Sequence, residues 1–109
     1  MSKAKEKEMD LRDKIEVLIL ETLQDLNLER ETNKMIVITK DTAMLGYNTA
    51  IDSLEFLNFI MSLEDKLREQ LKIEVNLSHE EVLLSQYHPF KSVRALADFI
   101  LLLSQGKLT

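Results

Sequence analysis

Residues 51–71 read IDSLEFLNFIMSLEDKLREQL, and this stretch decides the fold class. Asp52 followed three residues later by Glu55 is the capping-box pattern, with Asp52 as N-cap. A helix therefore starts at Asp52 or Ser53 and ends near Leu71. A good N-cap contributes about 1 kcal/mol. The apolar residues are crowded: Leu54, Phe56, Leu57, Phe59, Ile60, Met61 and Leu63 cover more than one helical face. This half of the helix is expected to touch the core and something besides. After Leu63 the pattern thins to Leu67 and Leu71, among Glu64, Asp65, Lys66, Arg68 and Glu69. Glu64 and Arg68 stand at i,i+4, a pair worth about 0.2–0.5 kcal/mol.

Working outward, Leu11, Ile15, Leu18, Thr22 and Leu26 recur at helical spacing, widened by Ile19 and Leu23. They predict a first helix from Met9 to Leu28, with Arg12, Asp13, Glu16, Glu21 and Asp25 on its solvent face. Between the two helices lies a connection from Asn27 to Asp52. A structureless connection longer than about 15 residues is uncommon in a small domain and often functional. Its middle, MIVIT at 35–39, offers no partner strand. Ile36, Ile38, Met44 and Leu45 are expected to dip into the core and pin the loop, with Gly46 and Asn48 supplying the turn.

Beyond the second helix, KIEVNL reads as a short extended connection. Ser78 with Glu81 forms a second capping-box pattern, opening a short helix through Val82, Leu83 and Leu84 that His88 and Pro89 end. Ser92 is the expected cap of a last helix with Val93, Leu96, Ala97, Ile100 and Leu103 as its stripe, and Gly106 just past its end. The 109 residues suit one domain, 9–104, between a charged tail at 1–8 and a C-terminal tail at 105–109. Two glycines, one proline and 45% apolar residues fit an all-α fold of three main helices and one short one.

Composition also narrows function. There is no cysteine, which removes disulfides, thiolate metal sites and cysteine nucleophiles. A net charge of −5 argues against nucleic acid and favours partners with basic surfaces. No apolar run is long enough to span a membrane, and the N-terminus has no signal-peptide pattern, so a cytoplasmic monomer is expected. His79 and His88, beside Glu80 and Glu81, match no ligand spacing and read as surface histidines. No nucleophilic triad and no glycine-rich phosphate loop is present, so an enzyme is not expected.

Ser53 remains. As an ordinary first-turn residue it needs no further explanation. Yet it follows a long loop, precedes a helix with surplus apolar surface, and stands where free N–H groups and the helix dipole favour an attached phosphate.

Leu45-Gly46, Ile51-Asp52-Ser53-Leu54 and Leu63-Glu64 together resemble the signature of acyl carrier proteins, whose second helix begins with a modified serine. Lys72-Ile73-Glu74-Val75 and the spacing of Phe90, Val93, Leu96, Ala97 and Ile100 extend the likeness over residues 9–103. The resemblance implies that Ser53 receives 4'-phosphopantetheine from coenzyme A through a phosphopantetheinyl transferase. It further implies loading by an acyl ligase or acyltransferase, and presentation of the thioester to synthase or transferase enzymes. Asp52, Leu54, Glu55, Asn58, Met61, Glu64 and Asp65 become the partner-recognition candidates. Phe56, Ile60, Leu63 and Leu96 become the acyl-pocket candidates, or simply core.

Five residues separate Gly46 from Asp52, Asn58 stands where fatty-acid carriers usually have an acid, and the second helix continues through REQL. These departures suit a discrete carrier of a specialised fatty-acid, polyketide or related pathway. The alternatives are a carrier of aminoacyl or peptidyl groups, and an unmodified helical adaptor that binds partners through the second helix.

Overall fold

The side chain of Asp10, on an extended residue, accepts a hydrogen bond from the Asp13 N–H at 2.8 Å and starts helix α1, Leu11–Leu28. The computed structural model describes residues 10–46, 49–83 and 85–106. The expectations for the tail at 1–8, for Asn48 and for Leu84 lie outside them, as do residues 107–109 of the C-terminal tail. The buried face of α1 carries Ile15, Leu18, Ile19, Thr22 and Leu23, the stripe expected from their spacing, while Leu11 stays exposed. Thr22 satisfies its hydroxyl inside the core by donating to the Leu18 carbonyl at 2.6 Å. Glu16, expected on the solvent face, is only 5% exposed. The long connection folds over it: Lys40 reaches its carboxylate at 3.5 Å and Arg12 at 3.2 Å. A charge is held there because two cations surround it.

Helix α2, Ser53–Leu71, has the bounds read from its sequence. It buries Phe56, Phe59, Ile60, Leu63 and Leu67. Its C-cap, Lys72, adopts the left-handed conformation at φ 58°, ψ 33°, with its amide turned back to the Leu67 carbonyl. That conformation costs a residue with a Cβ about 1–2 kcal/mol. Glycine's extra freedom in the unfolded chain offsets about 0.4–1 kcal/mol of the relief. Lys72→Gly should therefore stabilise the fold by about 0.5 kcal/mol, read as a melting midpoint higher by roughly 2–4 °C.

Helix α3, Glu80–Leu83, is a single turn, and helix α4 spans Val93–Ser104. The expected cap at Ser78 is displaced. The Glu81 N–H donates to His79 Nδ1 at 3.2 Å, while the Ser78 hydroxyl donates to Asn76 at 3.1 Å. The neighbouring Leu77 explains the shift. It is fully buried and its N–H donates to the Glu64 carboxylate at 2.7 Å, so the chain enters α3 one residue later. Beyond α3, Pro89 opens a 3-10 turn over Pro89–Lys91, preceded by His88 in the left-handed region. Ser92 caps α4 by accepting from the Ala95 N–H at 3.0 Å, and Gly106 takes φ +70° just past the helix end. Val93, Leu96, Ala97 and Ile100 are buried as expected and Leu103 partly so; Phe99 joins them.

The connection from Glu29 to Asp52 has a 3-10 turn at Thr32–Lys34, shows no strand among the described residues, and is fastened by side chains. Asn27 takes both backbone groups of Ile36: its amide donates to the carbonyl at 2.9 Å and its oxygen accepts from the N–H at 2.8 Å. Further on, the Arg94 N–H donates to the Lys40 carbonyl at 3.0 Å, and the N–H groups of Met44 and Leu45 both donate to the Phe90 carbonyl. Ile36 and Ile38 pack on the core and Met44 is fully buried. Leu45, expected inside, is exposed, and in the bend over residues 44–46 Met44 alone takes the inward place. Gly46 takes φ +109° in that bend.

Packing gathers these elements around α1, which contacts both α4 and α2. Arg12 Nε donates to Asp98 at 2.6 Å across α1 and α4, and that bond raises the guanidinium above its ordinary value. Phe56 meets Phe90 edge-to-face with ring centroids 4.9 Å apart. Among the described residues, no helix is long and apolar enough to cross a membrane.

Candidate functional site

Ser53 is the first residue of α2, and its position follows from the capping box around it. Asp52 accepts from the Glu55 N–H at 2.8 Å and Glu55 returns a bond to the Asp52 N–H at 3.1 Å. The cap is made by the residues on either side, which leaves the Ser53 side chain exposed. A hydroxyl in that place is open to another protein and sits at the positive end of a 19-residue helix.

From Leu54 onward, the helix presents apolar side chains to solvent. Leu54 is 69% exposed, Leu57 49% and Met61 63%, and their spacing puts them along one side of α2. Asn58 is exposed between them. The acids of α2 are largely engaged. Glu55 is bound by Arg30, Glu64 receives the Leu77 N–H, and Asp65 pairs with Arg68 at 2.5 Å. Arg68, read from its spacing as a partner of Glu64, thus takes the i,i+3 acid; that hydrogen bond raises its guanidinium above the ordinary value. Lys66 reaches across to Asp25 on α1 at 2.8 Å. Of the recognition candidates, Glu55, Asn58, Met61 and Asp65 share one groove of about 450 Å³ between α1 and α2. Asp52 and Leu54 stand beside Ser53 at the helix start.

The four acyl-pocket candidates lie elsewhere. Phe56, Ile60, Leu63 and Leu96 are all buried in the common core. None of them lines that groove, or a cleft of about 190 Å³ bounded by Leu45, Gly46, Leu83 and Pro89. Phe56 approaches that cleft only through its contact with Phe90, which does line it. His79 caps α3 and His88 precedes the 3-10 turn, both exposed. Among the described residues, no three side chains of His, Cys, Asp or Glu converge as a metal site.

Arg30 and Asn27 are the site's supports that sequence reading passed over. Both follow or end α1 with no spacing signal, since their partners are 25 and 9 residues away. Comparison with protein-family models, curated proteins and solved structures finds no match.

Proposed function

We propose that the chain is an acyl carrier protein of the discrete, specialised kind, with 4'-phosphopantetheine attached to Ser53. The observation that carries this reading is the exposed Ser53 side chain, held at the start of a long helix by a cap that does not use it. Serine oxygen would bear the phosphate of the arm, at a helix end whose dipole favours negative charge. When bound, the arm supplies a thiol for thioester linkage, which this cysteine-free chain otherwise lacks. The chain's own part is presentation. Asp52 and Glu55 keep the helix start rigid, and Leu54, Leu57 and Met61 offer apolar contact to a transferase, a loading enzyme or a synthase that visits Ser53. Asp52 is committed to its cap, so proton removal from Ser53 falls to the transferase.

The test is incubation with coenzyme A and a broad-specificity phosphopantetheinyl transferase, followed by intact mass. Wild type should gain one phosphopantetheinyl group, and Ser53→Ala should gain none while keeping its helical circular dichroism. Absence of any gain with several transferases that load a control carrier would overturn the reading. A second reading, an unmodified adaptor, draws support from the same exposed Leu54, Leu57 and Met61. It differs in expecting Ser53→Ala to leave partner binding intact.

A further inference from the structure

We infer that Arg30 is a positioning residue for the modification of Ser53, an inference that rests on the carrier reading. Arg30 follows α1 by two residues, and its guanidinium closes both ends of the long connection at once. Nε donates to Glu55 Oε2 at 3.1 Å, and Nη2 donates to Glu55 Oε1 and to the Ala50 carbonyl, the latter at 2.9 Å. Nη1 donates to the Lys34 carbonyl at 2.9 Å. The same Glu55 oxygen that meets Nη2 also receives the Asp52 N–H.

One side chain therefore fixes the backbone before Ser53, at Ala50 and Asp52, and the first turn of the helix after it. It is mostly buried, with 16% of the side chain exposed, as is Glu55 with 26%. A planar fork that meets both carboxylate oxygens sets an orientation that a point charge does not. The local capping box between Asp52 and Glu55 can persist without Arg30, so α2 itself does not depend on it. What Arg30 adds is the tie from that box to Ala50, Lys34 and the end of α1. An enzyme that grips the exposed face of α2 and must also reach Ser53 needs those parts in one fixed relation. If only a fraction of molecules holds it, the apparent affinity falls by that fraction while turnover of the bound complex is unchanged.

The experiment measures transferase kinetics with coenzyme A for wild type, Arg30→Ala and Arg30→Lys, with amide hydrogen exchange on each. Arg30→Ala should raise KM for the carrier about tenfold with kcat little changed, since losing the tie leaves a minority of competent molecules. Arg30→Lys, which keeps the charge without the fork, should fall between. Exchange should quicken at Ile51 and Asp52 while the amides around Leu63 and Leu67 stay protected. A folded Arg30→Ala or Arg30→Lys protein with the wild-type KM overturns the inference and leaves the carrier reading standing. If alanine unfolds α2, the lysine variant decides by the same KM criterion. Failure of wild type to be loaded at all removes the carrier reading, and this inference with it.

Discussion

Met44→Ala should lower stability by about 2–5 kcal/mol, as much as a truncation in the middle of a helix. Met44 belongs to the long connection, yet it is fully buried. It enters the core formed by α1, α2 and α4, and its N–H is held by the Phe90 carbonyl at 2.9 Å. Truncation removes the side chain from a packed site and leaves a cavity that the surrounding helices only partly fill. The melting midpoint should drop by roughly 8–20 °C. Val37→Ala is the contrast in the same connection: Val37 is 84% exposed, so its change should stay within about 0.5 kcal/mol. Equal effects at both positions would mean that the connection is not anchored as described.

Asn27→Ala should be nearly as damaging for its size, costing about 2 kcal/mol. Asn27 is buried in the last turn of α1 and serves Ile36 as a neighbouring strand would, taking its N–H and giving to its carbonyl. Alanine leaves both backbone groups without their partner at a half-buried position. Each such loss costs about 1–3 kcal/mol, reduced where water reaches in. Hydrogen exchange should report the change first at the Ile36 amide, with α2 unaffected until global unfolding.

These two residues also mark what was legible in the sequence. Helix starts at Asp52 and Ser92 could be read because cap and receiver are three residues apart, and local spacing is visible in a linear string. The inward stripes of α1, α2 and α4 were legible for the same reason. So were the main helix count and the exposed Ser53. What escaped depends on partners distant in sequence. Glu16 looks like a solvent-facing acid until Lys40 is folded above it, and Leu45 looks as apolar as Met44 although only Met44 is buried. Ser78 has the better capping side chain, yet the burial of Leu77 sets where α3 begins. For the site, Glu55 and Glu64 stood among the recognition candidates, with only local partners expected for them: the capping box for Glu55 and Arg68 for Glu64. The fold instead commits Glu55 to Arg30 and Glu64 to the Leu77 amide, and leaves the apolar Leu54, Leu57 and Met61 as the open surface beside Ser53.

The shared acceptor at Phe90, which receives the amides of Met44 and Leu45, has a bearing on biosynthesis. A ribosome delivers the serine-bearing helix long before it delivers Phe90 and Arg94, so Lys40, Met44 and Leu45 wait for late-arriving residues before their backbone is tethered. Until then the ties made by Asn27 and Arg30, whose partners all precede Phe56, can hold the connection, so its fastening proceeds from its two ends inward.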